Sequence, residues 1–134
     1  MTERIELHSK DFSNVVSLLE EFDVTKVEVI VNELLKTVSI NGETPETEIY
    51  IKSHYDDVLV ISRIFLKNRG KGLGTNIFRQ LKSLALSKGF KKILVVQTLT
   101  KEINGLCRKE GYVPVEHMGF YHEGEFLGNY ELIL

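Results

Sequence analysis

Apolar positions along the chain keep two rhythms. Val15, Val16, Leu18, Leu19 and Phe22 recur at helical spacing, and Asp11 or Ser13 stands where an N-cap belongs, so the pattern predicts a helix over about 13–22. Thr75–Lys88 repeats the pattern more clearly. Ile77, Leu81, Leu84 and Ala85 share one face, Arg79, Lys82 and Lys88 fall on others, and Gly89 is a helix stop. A shorter helix is expected over Lys101–Glu110, capped by Thr100 and ended by Gly111. Between these, β-branched and apolar runs mark strands. A short one is expected near Arg4–His8 and another at Val27–Val31, although Val31–Val38 also reads as helix. Lys36–Ile40 and Thr47–Lys52 flank the turn-rich stretch Asn41-Gly42-Glu43-Thr44-Pro45, which suggests antiparallel neighbours. Asp57–Leu66 and Ile93–Val96 are nearly all apolar, as in strands covered on both faces. Tyr112–His117 and Asn129–Leu134 close the chain, with a turn near Tyr121–Glu125.

The clear second half runs strand, helix, strand. That order implies a right-handed crossover joining two parallel strands. At 134 residues, with no linker, repeat or low-complexity tract, residues 1–134 read as one domain. A net charge of −2 gives no general attraction to nucleic acid or acidic membranes, and no apolar run reaches the ~20 residues of a bilayer span. The first residues, Met1-Thr2-Glu3-Arg4-Ile5-Glu6, are too polar for a signal peptide. Cys107 is the one cysteine, so no internal disulfide forms. A cytoplasmic protein is expected. His117 and His122 lack ligand spacing, and no metal site is expected.

The chemistry gathers at residues 69–74, Arg-Gly-Lys-Gly-Leu-Gly, between the strand ending near Leu66 and the helix opening at Thr75. Three glycines in five residues let backbone N–H groups converge. The helix N-terminus adds unpaired donors and a positive dipole end, and Arg69 and Lys71 add charge. The combination makes a seat for a phosphate or pyrophosphate. It is not a Walker A loop, because no glycine stands in the register Gly-x-x-x-x-Gly-Lys-Ser/Thr. It is a poor dinucleotide fingerprint too. The glycines read Gly-x-Gly-x-Gly, and the next strand ends Val96-Gln97-Thr98 without an acidic residue.

Arg69, Gly72 and Gly74 do match Arg/Gln-x-x-Gly-x-Gly/Ala. With the strand before, the amphipathic helix after, and a short helix ending Lys109-Glu110-Gly111-Tyr112, the stretch Val58–Tyr112 resembles the GNAT family of N-acetyltransferases. The resemblance implies an α/β (α+β) fold: one mixed, mostly antiparallel central sheet, a parallel pair splayed at the cofactor site, and helices on both faces. It implies acetyl-CoA as cofactor. Backbone N–H groups of Gly70, Lys71, Gly72, Leu73, Gly74 and Thr75 would hold the pyrophosphate, with Arg69 beside them. Ile64, Phe65 and Leu66 would pair with the pantetheine arm, counting from Arg69 favouring Ile64 and the apolar pattern favouring Leu66. The partner would be an amine acceptor: a small molecule, a peptide N-terminus or a lysine. A homodimer is left open.

In the family, a tyrosine four residues before the glycine protonates the leaving thiolate. Here that position is Cys107, and the family's asparagine falls at Thr100. Two readings of Cys107 follow: a weak proton donor, or a small apolar residue packing beside Ile103 and Leu106. Tyr121 and Tyr112 are alternative acids. Candidates for the base are His54, Asp56, Asp57 and Glu48, histidine being the residue type whose free side chain suits the role. Losing both family residues also leaves room for a catalytically silent module that binds CoA or a partner.

Overall fold

The computed structural model describes residues 4–22, 26–67, 72–98 and 100–134. Among these, seven strands form one sheet: β1 (Glu28–Asn32), β2 (Thr37–Asn41), β3 (Glu48–His54), β4 (Val58–Phe65), β5 (Lys92–Thr98), β6 (Val113–His122) and β7 (Glu125–Ile133). Their spatial order is β1-β2-β3-β4-β5-β7-β6. Only β4 and β5 run parallel, and α2 (Leu73–Lys88) crosses between them. α1 (Ser13–Phe22) precedes the sheet, and α3 (Lys101–Lys109) follows β5. This is the expected mixed α/β architecture.

One register row shows how the core is built. Val38, Ile51, Ile61, Val95 and Tyr130 stand side by side across β2, β3, β4, β5 and β7, and all five are buried. Alternation places Ile40, Ile49, Leu59, Ile64 and Ile93 on the same face. α2 lays Ile77, Phe78, Leu81 and Ala85 onto it, and α1 adds Val15 and Leu19. The helices touch one another in sequence. Asn14 donates to Gln80 at 3.2 Å between α1 and α2, and Arg79 pairs with Glu110 at 3.1 Å just beyond α3. All three helices therefore lie on one face, where the resemblance implied both. The other face is open and partly polar. There Arg63 lies over the Tyr50 ring at 5.2 Å, and Lys92 pairs with Glu131 at 3.2 Å.

Three sequence expectations change. Arg4–His8 forms no strand, since its contacts run through side chains or end on lone carbonyls, with no ladder beside it. Leu7 is buried, Arg4 reaches the Leu35 carbonyl at 3.4 Å, Lys88 reaches the Glu6 carbonyl at 3.2 Å, and Glu6 pairs with Lys36. The closing strands are longer than expected, β6 reaching His122 and β7 starting at Glu125. Only Glu123 and Gly124 turn the chain, both with positive φ, which matches the twist of a two-residue hairpin. The helical reading of 31–38 gives way to the end of β1, a turn and the start of β2, because Val31 and Val38 pair across the hairpin.

The sheet is irregular in three places, one of them between Val95 and Thr98 where β5 meets β7. Tyr50 stands opposite Arg63 and Ile51 opposite Ile61, so Ser62 is an extra residue on β4. On the far side, β6 carries three extra residues between Pro114 and Gly119 relative to β7, where Tyr130 and Gly128 are their partners.

Candidate functional site

The parallel pair comes apart. β4 and β5 are in register from Val58 with Lys92 to Ile61 with Val95, and no pair follows. Each strand is irregular just past that last pair. β4 has its extra residue at Ser62, and β5 gains one residue on β7 between Val95 and Thr98. Bulges bend and twist the strand that carries them, so two in succession part the strands. Beyond Ile61, the β4 edge that faces β5 has no strand partner among the described residues. Ile64, Phe65 and Leu66 fall on or just past this free edge. Ile64 is buried, Phe65 is 46% exposed, and Leu66 is partly buried against the core.

α2 begins at the same end of the sheet. Its N-cap is Gly72, at φ +76, and the first helical bond runs from the Asn76 N–H to the Gly72 carbonyl at 3.0 Å. The N–H groups of Leu73, Gly74 and Thr75 thus have no acceptor within the helix. No side chain caps them, and the first turn carries no acid. Donors at the positive end of a helix of 16 residues suit an anion. A diphosphate fits this donor set. Arg69, Gly70 and Lys71 lie outside the described residues. A cation stands here: Lys109 Nζ comes within 3.4 Å of Thr75 Oγ1. The packing of α3 on α2 brings it there. Its one mark in the sequence is its place in the Lys109-Glu110-Gly111-Tyr112 helix ending.

Gly74 makes that packing close. A Cβ there would meet Leu106 Cδ2 of α3 at 3.0 Å and Leu66 Cδ1 at 3.7 Å. Leu66 and Leu106 thus converge beside the helix start.

Of four proton-handling candidates, Cys107 and Tyr112 lie together, and Tyr121 and His54 stand apart from them. Cys107 is fully buried among Leu106, Tyr112 and Tyr130, and burial pushes its thiol up to about 12. Tyr112, also buried, is raised by burial and then by Cys107 and Glu110. Tyr121 lies on β6, with β5 and β7 between it and β4, about 14 Å at ordinary strand spacing. It is 61% exposed, and its hydroxyl donates to Glu116 Oε1 at 2.8 Å. That bond, ahead of burial and the charge of Glu116, holds its phenol above the usual range. Its hairpin tip lies at the end of the sheet where β4 and β5 part. His54 is at the opposite end, paired with Val58, roughly 13 Å of strand below Ser62. Its Nδ1 lies 3.3 Å from the Tyr55 carbonyl.

Asn104, on α3, is fully buried, and among the described residues neither its Nδ2 nor its Oδ1 has a protein partner. Among the described residues, no group of three or more His, Cys, Asp or Glu could hold a metal ion, and no helix is long and apolar enough to cross a membrane.

No protein-family profile matches the sequence, and no curated protein matches it. Solved structures do. A putative acyl-CoA N-acyltransferase from Klebsiella pneumoniae is similar at TM-score 0.57 and 14% identity, over 98% of this chain and 95% of that one. An IAA acetyltransferase from Bacillus cereus gives 0.55 and 16%, over 98% and 97%. A GNAT family acetyltransferase from Elizabethkingia anophelis with acetyl-CoA bound gives 0.53 and 14%, over 75% and 78%. The fold they share with this chain is the GNAT fold.

Proposed function

We propose that this chain of GNAT fold is an N-acetyltransferase that moves acetyl from acetyl-CoA to a primary amine. The observation that carries the reading is the parting of β4 and β5 beside the uncapped start of α2. The free edge of β4 offers backbone hydrogen bonds to an extended arm, and the N–H groups of Leu73, Gly74 and Thr75 offer them to a diphosphate. Lys109 adds a positive charge nearby. When bound, the cofactor supplies an acyl group on a good leaving thiolate.

This chain's residues would bind, orient and manage protons. The amine nitrogen forms a C–N bond to the acyl carbon as the C–S bond breaks. The nitrogen loses a proton, and the thiolate gains one. Tyr121 is the proposed acid, because its hydroxyl stays protonated and stands exposed on a hairpin at that end of the sheet, and its proton crosses the width of β5 and β7 through water. Cys107, sealed in the core with a raised thiol, serves packing. His54 has no direct reach to the gap, so a proton route from it runs through water.

A silent CoA-binding module is the second reading, and the sealed Cys107 in place of a tyrosine favours it. Thermal-shift titration with acetyl-CoA, CoA, ATP and NAD tests the cofactor, since a ligand held only by the native state raises its stability. CoA release with a panel of amines tests turnover. Binding of CoA without release on any amine selects the module. Preference for ATP or NAD sinks both.

A further inference from the structure

The amide of Asn104 is fully buried, and among the described residues neither Nδ2 nor Oδ1 meets a partner. A polar group sealed away without hydrogen bonds opposes folding, so core packing alone does not account for it.

Its place in the fold does. α3 leaves the end of the sheet where β4 and β5 part. Thr98 closes β5 there, its hydroxyl donating to the Gly128 carbonyl at 2.7 Å, and the helix then returns beside α2, where Arg79 meets Glu110 at 3.1 Å. Cys107 packs in the core with Tyr130, whose strand partner Val95 belongs to the last joined pair of β4 and β5. Asn104 stands one turn earlier on the same inward face, about 4.5 Å of helix nearer the parting. It lies at the level where the β4 edge has lost its strand partner.

The first turn of α3 is lightly held. Lys101 and Glu102 are exposed, Ile103 is only partly buried, and the Thr100 cap accepts from the Ile103 N–H at 3.3 Å. Gly105 follows directly. A Cβ there would meet nothing within 4 Å, so packing does not require the glycine, and its effect is to weaken the helix. This turn can lift from the sheet at small cost and uncover the amide.

Both ends of that amide lack partners, which specifies the ligand chemistry. A phosphate or a lone carbonyl would satisfy Nδ2 and leave Oδ1 unpaired. A chain of secondary amides, such as a pantetheine arm, offers a carbonyl to Nδ2 and an N–H to Oδ1. We infer that the first turn of α3 lifts and that the Asn104 amide then hydrogen-bonds the amide groups of the pantetheine arm in the gap. The inference rests on the CoA reading and adds to it a side-chain contact away from the helix start.

Calorimetric titration of the full chain with CoA and with ADP, which carries a diphosphate without the arm, tests it. Asn104→Leu should weaken CoA about fivefold or more, the weight of a buried polar group left unpaired, and leave ADP unchanged. Gly105→Ala, which favours the closed turn, should slow CoA association about three- to fivefold in stopped flow. In the natural protein the ¹⁵N side-chain amide signals of Asn104 should shift with CoA and stay in place with ADP. Unchanged CoA affinity in Asn104→Leu, equal losses of CoA and ADP, an unchanged association rate in Gly105→Ala, or unmoved Asn104 signals under saturating CoA overturn the proposal. The same spectra follow the backbone amides of Gly72 to Thr75. If CoA leaves those unmoved, the cofactor reading fails. If CoA moves them and the Asn104 side chain stays still, this inference alone fails.

Discussion

Leu106 Cδ2 on α3 lies 3.0 Å from the point where Gly74 on α2 would carry a Cβ. The two helices approach because one residue has no side chain. The neighbour is the end of a leucine, so Gly74→Ala calls for a small shift, whereas Gly74→Val pushes two branches toward Leu106 and Leu66. Overpacking of this kind costs about 1–3 kcal/mol. Urea denaturation should place the valine variant in that range and alanine well below it. CoA affinity should fall in the same order.

Gly72 fails for a different reason. A Cβ there meets nothing within 4 Å, but φ is +76. The cost is backbone strain, about 1–2 kcal/mol for an ordinary residue and less for asparagine, which tolerates the left-handed region. Gly72→Asn should therefore keep most CoA binding and Gly72→Val should lose it, as read by calorimetric titration. Equal affinity in all three proteins would mean the helix start is not the anion seat.

The buried thiol predicts a weakness at high pH. Cys107 titrates near 9.0 when free and about 12 in the folded chain. Below pH 9 both states keep the proton, so its contribution to stability is complete. Between 9 and 12 only the unfolded chain ionises, and stability falls. Urea midpoints at pH 8 and pH 10.5 should separate in the natural protein, and Cys107→Ala should narrow the separation. The raised phenol of Tyr112 keeps part of the slope in that variant. At pH 8, Cys107→Ala should change turnover by less than tenfold.

Tyr121→Phe removes the hydroxyl that donates to Glu116 and leaves an exposed ring. Stability should change little. If the phenol protonates the departing thiolate, turnover falls by about 10²–10⁴, the usual weight of a proton-transfer group. Stopped-flow measurement of thiol release decides the matter, and an unchanged rate passes the role to solvent.

Asn104 offers the sharpest stability test. Its buried amide has no protein partner among the described residues, so it carries a desolvation cost of about 1–3 kcal/mol. Asn104→Leu, similar in volume, should raise the thermal midpoint. A lower midpoint would reveal a buried water satisfying the amide.

Local pattern revealed most of the elements. α2 was readable because Ile77, Leu81 and Ala85 repeat at helical spacing after a glycine and before Gly89, and all three turn inward. β4 and β5 were readable as apolar runs. Long-range relations were not. Arg4–His8 looks like a strand because alternation says nothing about whether a neighbour is present. The face on which a helix lies depends on contacts such as Asn14 with Gln80, which are far apart in sequence. The approach of Lys109 to Thr75 is not legible locally, because it depends on how α3 crosses α2. The family pattern pointed to Cys107, but its burial beneath α3 is a tertiary fact.

The three surplus residues on β6 have an effect on how the molecule behaves in company. That strand forms one rim of the sheet and shows Met118 and Phe120 to water, a combination that ordinarily invites a stranger to zip alongside. With the ladder knocked out of step between Pro114 and Gly119, an approaching chain finds matching amides only in short stretches. Sticky side chains are thereby tolerated on a border where fibre growth cannot easily start.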